Sequence, residues 1–156
     1  MNANDIVVKF GKDILESEDF LRERTYLSHG KTTTYDHSVR VAGTAVKVAR
    51  VLRLNVDYDS LVRGCLLHDY YLYDWHELDE SHRLHGFKHG KTASHNAERD
   101  FGLNCIEQNM ICSHMFPLTL TVPRYKESFL VGLADKVCTV KETFRRKPWL
   151  FQRNVV

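Results

Sequence analysis

Apolar residues recur every three or four positions along most of this chain of 156 residues. That spacing puts them on one face of an α-helix. The chain has only three prolines and eight glycines, and no two-residue hairpin turn, so the pattern predicts an all-α fold of about six or seven helices. We expect helices at residues 4–16, 17–27, 37–54, 60–70, 90–101 and 123–144, and another that Asn104 caps and Pro117 ends.

The segment 71–88 interrupts this helical pattern and is long for a loop of a compact domain. Long ordered loops are often lids or binding loops. This one carries Trp75, His76 and His82, of which the two histidines are candidates for substrate contact. We expect Trp75, with Tyr71, either to stack on a ring of a substrate or to pack against the domain as part of a lid.

Composition limits the class of protein. A hydrophobic content of 43% and a net charge of +2 are ordinary for a soluble globular protein. So small a charge gives no support for binding a nucleic-acid polymer or an anionic membrane. No apolar run approaches the roughly 20 residues of a membrane span, and the N-terminus lacks the pattern of a signal peptide.

The length and the cysteines complete these limits. We expect a single domain over residues 1–156, with N-terminal helices in 1–34, a motif-bearing core at about 35–144 and a tail at 145–156. The cysteines form no CxxC pair and lie among apolar residues, which predicts reduced core thiols and a cytoplasmic protein. They are Cys65, Cys105, Cys112 and Cys138.

Several ionisable residues lie on, or next to, the apolar faces of the predicted helices. Each histidine, taken alone, is more often a hydrogen-bonded core residue than a ligand. Together, however, five helices direct six such groups inward, where they are costly unless something binds them. Imidazole and carboxylate groups in this mixture suit Fe, Mn, Ni, Co or Zn. The six are His37, His68, Asp69, His89, His114 and Asp135.

The order of four of these residues carries a family resemblance. His37, then His68-Asp69, then Asp135 in a Leu-Ala-Asp-Lys helix resembles the H…HD…D signature of the HD-domain metal-dependent phosphohydrolase superfamily. The resemblance covers roughly residues 35–144 and implies a single-domain helical bundle of the HD type. His89 and His114 resemble the extra ligands of the two-metal subgroup, although no Gly-Tyr-Pro triplet of the cyclic-dinucleotide phosphodiesterases is present.

The resemblance also implies the role of each residue. His37, His68, Asp69 and Asp135 would hold one divalent metal ion. His89 and His114 would hold a second, with Asp69 as the bridge between the two ions. Such a pair can share a hydroxide that attacks a phosphoester and can take up charge on the phosphoryl oxygens.

Residues that contact the substrate are harder to identify from the sequence. Lys136, beside Asp135, is the first choice for a catalytic cation. Lys91, Arg40 and Arg124 follow as candidates for binding phosphate, although each is also typical of a surface charge. His85 precedes His89 by four residues and is either an alternative metal ligand or a substrate contact. Trp75 is a further candidate for contact with the substrate.

Three functions are compatible with these residues. The first is an enzyme, a metal-dependent phosphohydrolase that cleaves a small phosphoester or nucleotide. The second is a mixed-valent di-iron oxygenase acting on a polyol or phosphonate, because such oxygenases use the same ligand set. The third is a binding module without turnover. Metal and substrate identity stay open, and so does the oligomeric state, for which a homodimer is one candidate.

Overall fold

A computed structural model describes residues 1–28, 32–72 and 85–144, with only the backbone described for 85–88. Within these residues the chain forms seven helices and no strand of a sheet, which confirms the all-α prediction. An isolated β-bridge joins Leu27 to Thr33. The helices are α1 (Ala3–Leu15), α2 (Glu18–Arg22), α3 (Thr34–Val51), α4 (Tyr58–Leu67), α5 (His85–Phe101), α6 (Cys105–Ser113) and α7 (Lys126–Phe144).

Short polar side chains begin most of these helices. Asn2 and Asn104 each form a reciprocal capping box, with Asp5 and Glu107 respectively. Ser17, Thr33 and Asp57 accept a hydrogen bond from a backbone N–H of the first turn. These caps satisfy N–H groups that have no partner inside the helix. With these caps, α3 begins three residues earlier than predicted and α4 begins two residues earlier.

Other boundaries also differ from prediction. The helix expected to reach residue 27 ends at Arg22, because the following chain turns back and the Thr34 N–H donates to the Tyr26 carbonyl. The helix predicted to end at Pro117 ends at Ser113. The predicted loop 71–88 is wrong from residue 85 onward, where α5 has already begun. Residues 73–84, with Trp75, His76 and His82, and the predicted tail at 145–156 lie outside the described residues.

Helix α4 lies at the centre of the fold. It packs against α1, α3 and α6, and its residues Leu61, Val62, Cys65, Leu66 and Leu67 are fully buried. Helix α7 packs against α3 and α6 on the other side. The C-terminal end of α4 therefore lies inside the bundle, where it is surrounded by α3, α5, α6 and α7.

The cysteines only partly follow the prediction of core thiols. Cys65 and Cys138 are buried, Cys112 is half-buried, and Cys105 is exposed at the start of α6. Expecting Cys105 in the core was wrong, because the apolar face of this short helix passes through Met110 and Ile111 instead. Among the described residues, no helix combines the length and apolarity that crossing a bilayer requires.

Candidate metal centre

The pair His68-Asp69 lies directly beyond the last turn of α4. His68 is the C-cap residue, and its Nδ1 lies 2.8 Å from the carbonyl oxygen of Cys65. A carbonyl oxygen only accepts hydrogen bonds, so Nδ1 carries the proton and donates. In the neutral ring Nε2 is then an unprotonated nitrogen, and it is buried without a hydrogen-bond partner among the residues that the structure describes.

His114 repeats this arrangement at the end of α6. It is the C-cap residue, and its Nδ1 lies 2.7 Å from the carbonyl oxygen of Ile111. Its Nε2 therefore also faces away from its own helix. His89, on α5, points its Nε2 to within 2.8 Å of the His114 Nε2. The prediction that His114 lies within the helix was wrong, but its side chain does point inward.

His37 and Asp135 come from the two long helices. Nε2 of His37, on α3, lies 3.1 Å from Oδ1 of Asp135, on α7. Nδ1 of His37 lies 2.9 Å from Oε2 of Glu142, which is also on α7 and buried. Glu142 thus holds the His37 ring from behind. Thr139 donates a hydrogen bond to Asp135 Oδ1, which orients that carboxylate as well.

These side chains form two adjoining groups. His37, His68 and Asp135 make one, and Asp69, His89 and His114 make the other; within each group the potential ligand atoms lie within 4.8 Å of one another. All six residues are buried. The structure therefore brings together the six residues that the sequence nominated, from five different helices or their ends.

Asp69 faces both groups. Its Oδ2 lies 3.4 Å from His68 Nε2 and 3.9 Å from His37 Nε2. Its Oδ1 lies 3.4 Å from His89 Nε2 and 3.6 Å from His114 Nε2. One carboxylate thus presents a different oxygen to each pair of imidazoles, which is the arrangement of a bridging ligand.

Burial and close packing shift the pKa values of these groups. Burial, together with neighbouring His68, lowers the pKa of His114 to about 4, so this ring is neutral at neutral pH. Burial disfavours the charged form of His37, but hydrogen bonds to Asp135 and Glu142 outweigh it and raise its pKa to about 10. Burial also opposes ionisation of Asp69, yet the surrounding imidazoles hold its pKa well below the usual value.

The residues present fit a metal ion. In the neutral form of His68, which is the form that binds metal, the buried Nε2 carries a lone pair and faces a carboxylate oxygen of Asp69, so two hydrogen-bond acceptors face each other. A buried polar atom left in this way is costly. A divalent cation would satisfy both acceptors. Four imidazoles with two carboxylates form the mixture of nitrogen and oxygen ligands that transition metals prefer.

A cavity of about 770 Å³ opens onto these groups. Asp69, His89, His114 and Asp135 line it on one side, and Lys136 and Thr139 of α7 also contribute. The Lys136 ammonium donates hydrogen bonds to the carbonyl oxygens of His114 and Gly132. The predicted catalytic cation therefore lies beside the cluster.

Other predicted substrate contacts lie elsewhere. Arg40 lines a different cavity, between α3 and α7, and donates to Oε1 of Glu142 at 3.0 Å. Lys91 is exposed on α5 and is not among the described residues lining the larger cavity. The side chain of His85 and all of Trp75 lie outside the described residues. His89 lies in the cluster, whereas the alternative, His85, stays a prediction.

Sequence reasoning missed Glu142. It follows Asp135 by seven residues, which is two helical turns, so both side chains lie on the same face of α7. That spacing was visible in the sequence. It would have indicated a second inward carboxylate on a helix that also carries a ligand candidate.

The model of the HD-domain family matches residues 34–139, well over half of the chain. The chain therefore belongs to the HD-domain family, as the H…HD…D order predicted. Family membership and the clustered histidines and aspartates indicate divalent metal binding and chemistry of the metal-dependent hydrolase type. No curated protein and no solved structure gives a significant match to the chain.

Proposed function

We propose that this protein is a metal-dependent phosphohydrolase that cleaves a small phosphoester or nucleotide with two divalent transition-metal ions. The observation that carries the proposal is Asp69, whose two oxygens each face a separate pair of imidazoles. The first ion would be held by His37, His68, Asp69 and Asp135, and the second by Asp69, His89 and His114. Fe, Mn, Ni, Co and Zn all suit this set.

The protein orients the ligands before any ion binds. The Nδ1 groups of His68 and His114 donate to carbonyl oxygens at the ends of their own helices, and that of His37 is held by Glu142. The unprotonated Nε2 of a neutral His68 or His114 ring then points into the cluster, whereas His37, with its raised pKa, has to release its Nε2 proton when an ion binds. Such partners behind the ligands fix the orientation and tautomer of the imidazole and raise its basicity.

The two ions would lower the pKa of bound water and stabilise the charge that develops on the phosphoryl oxygens. The chain itself contributes position and a cation. Asp69 sets the spacing of the two sites, since both depend on one carboxylate. Lys136 lines the same cavity, fixed by two carbonyl oxygens, and we assign it to a phosphate oxygen of the substrate.

Elemental analysis and turnover test this function together. Protein purified without added metal should hold two equivalents of metal and hydrolyse members of a panel of phosphomonoesters, phosphodiesters and nucleotides. Asp69→Ala should lose both ions and all turnover. Asp59→Ala, which changes an exposed carboxylate in the first turn of α4, is the matched control and should retain both.

Two results would count against the proposal. A metal-loaded protein that hydrolyses no member of the panel would refute the phosphohydrolase. Unchanged metal content in Asp69→Ala would refute the assignment of Asp69 as bridge. Oxygen consumption with a polyol or a phosphonate, by a protein that holds iron, would support the di-iron oxygenase instead.

A further inference from the structure

One continuous part of the cavity lining, next to the buried cluster in the sequence, is apolar. It is formed by the segment that follows the ligand candidate His114 and by one residue of α7, as the cavity lining shows. The residues of this apolar wall are Met115, Phe116, Pro117, Leu118 and Val140. Because the wall begins at the residue after His114, a group held at the cluster lies directly beside it.

The apolar wall leaves large hydrophobic side chains in contact with solvent. Phe116 is 39% exposed and Leu118 47% exposed, and Val140 is also exposed. When a ligand covers exposed apolar surface in a concave site, the removal of that surface from water favours binding. The cavity volume of about 770 Å³ lies within the range of about 300–1,000 Å³ that is typical of small-molecule sites.

Positive charge in this cavity is scarce. Among the lining residues that the structure describes, Lys136 is the one lysine or arginine, and two carbonyl oxygens already share its ammonium group. A substrate with several phosphates would find no second lysine or arginine among these residues, and covering apolar side chains with charged groups stabilises neither. A single phosphoryl group at the cluster avoids this mismatch.

We propose that the substrate is a monophosphate ester of an apolar or aromatic alcohol, whose organic part packs against the apolar wall. The proposal rests on the proposed phosphohydrolase function and narrows its substrate class. It favours such esters over nucleoside di- and triphosphates, and over esters of small polar alcohols. Phe116 and Leu118 are then residues that determine specificity.

Binding of two non-hydrolysable phosphonates tests this inference. Phenylphosphonate and methylphosphonate share the charged group and differ in the apolar part. Calorimetric titration of the full-length, metal-loaded protein should give at least tenfold tighter binding of phenylphosphonate, which corresponds to about 1.4 kcal/mol. Phe116→Ala and Leu118→Ala should each reduce that preference by threefold or more.

Leu133→Ala is the matched control. Leu133 is 48% exposed, almost the same as Leu118, but it does not line the cavity. This variant should keep the full preference for phenylphosphonate. All three positions are exposed enough for the variants to fold, which thermal unfolding checks.

Several outcomes would overturn the inference: equal binding of the two phosphonates, no binding of either, or an unchanged preference in both wall variants. If Leu118→Ala dissociates a dimer and leaves the preference intact, the wall is a contact between copies of the chain. Turnover of phosphoesters together with equal binding of the two phosphonates would support the phosphohydrolase function and refute the role of the apolar wall in substrate binding. Preferential binding of phenylphosphonate without turnover of any phosphoester would support the apolar wall as a binding surface and refute the phosphohydrolase function.

Discussion

Removing the Glu142 carboxylate should weaken metal binding although this residue is not a proposed ligand. Glu142 is buried, accepts a hydrogen bond from Nδ1 of His37 and pairs with Arg40 through its other oxygen. It lies three residues beyond the segment that the family model matches. Glu142→Ala lets the His37 ring rotate or change tautomer; rotation turns the Nε2 lone pair away from the cluster, and the other tautomer carries a proton on Nε2 in its place.

The size of the effect follows from the burial of the two partners. The Arg40 side chain is 46% exposed and can turn to water, whereas His37 is fully buried and cannot. Removal of the Glu142 carboxylate therefore leaves the Nδ1–H of buried His37, and not Arg40, without compensating solvation. Partners that orient a metal-bound imidazole are typically worth about 10–100-fold in metal affinity, or about 1.4–2.7 kcal/mol. Losing one charge-assisted hydrogen bond should cost about 1.5–3 kcal/mol in the unfolding free energy of chelator-treated protein.

Competition titration against a chelator measures the metal affinity of each variant. Glu142→Gln still offers one oxygen to His37 Nδ1, so it should recover most of the affinity that Glu142→Ala loses. Arg40→Met, which removes only the exposed partner, should change the affinity by less than threefold. A folded Glu142→Ala protein that binds metal as tightly as the wild type would refute the reasoning.

Two further predictions concern stability. Burial raises the pKa of Glu23 to about 8 from its ordinary 4.5, so the folded chain keeps a proton that the unfolded chain releases and loses stability as pH rises between these values. The Glu23→Gln variant lacks this loss. Its free energy of unfolding, measured with urea and chelator, should therefore rise relative to that of the wild type by about 3–4 kcal/mol as the pH goes from 5 to 8.5. If the free energies of the two proteins change with pH in parallel, the reasoning is wrong. Gly11→Ala should cost about 1–3 kcal/mol, because the new Cβ would overlap the buried Leu66 side chain. Gly43→Ala should be neutral or stabilising, because among the described residues outside its own helix turn the nearest heavy atom to the new Cβ is Asn4 Oδ1 at 4.0 Å. Equal urea midpoints for the two glycine variants would contradict this packing argument.

The helices and the membership of the cluster could be predicted because their signals are local. The 3.6-residue period of apolar positions marks the inner face of each helix, and His37 and Asp135 lie on helices with buried faces on both sides of them. Short polar residues before α2 and α6 marked their first turns correctly. These features depend on residues within a turn or two of one another.

The features that were missed depend on residues far apart in the sequence. The spacing from Asp135 could have placed Glu142 on the inner face of α7, but its contact with His37, 105 positions away, is not specified by any local pattern. The apolar wall at residues 115–118 becomes part of a cavity only when α7 packs beside it. The early end of α2 likewise goes with the pairing of residues 26 and 27 with residues 33 and 34, which lie further along the chain. Each needs the packing of the bundle to be known first.

The contrast between His37 and the two C-cap histidines explains why a distant carboxylate is needed at all. The last carbonyl oxygens of a helix have no partner within it, so His68 and His114 each satisfy one, three residues back, with the same Nδ1–H that orients the ring. His37 lies inside α3, where the carbonyl oxygens accept from the helix's own N–H groups. These carbonyl oxygens are already paired, and the partner that orients Nδ1 comes from another helix. Because Glu142 supplies it from the same face of α7 as Asp135, the packing of α3 on α7 places both nitrogens of His37 at once.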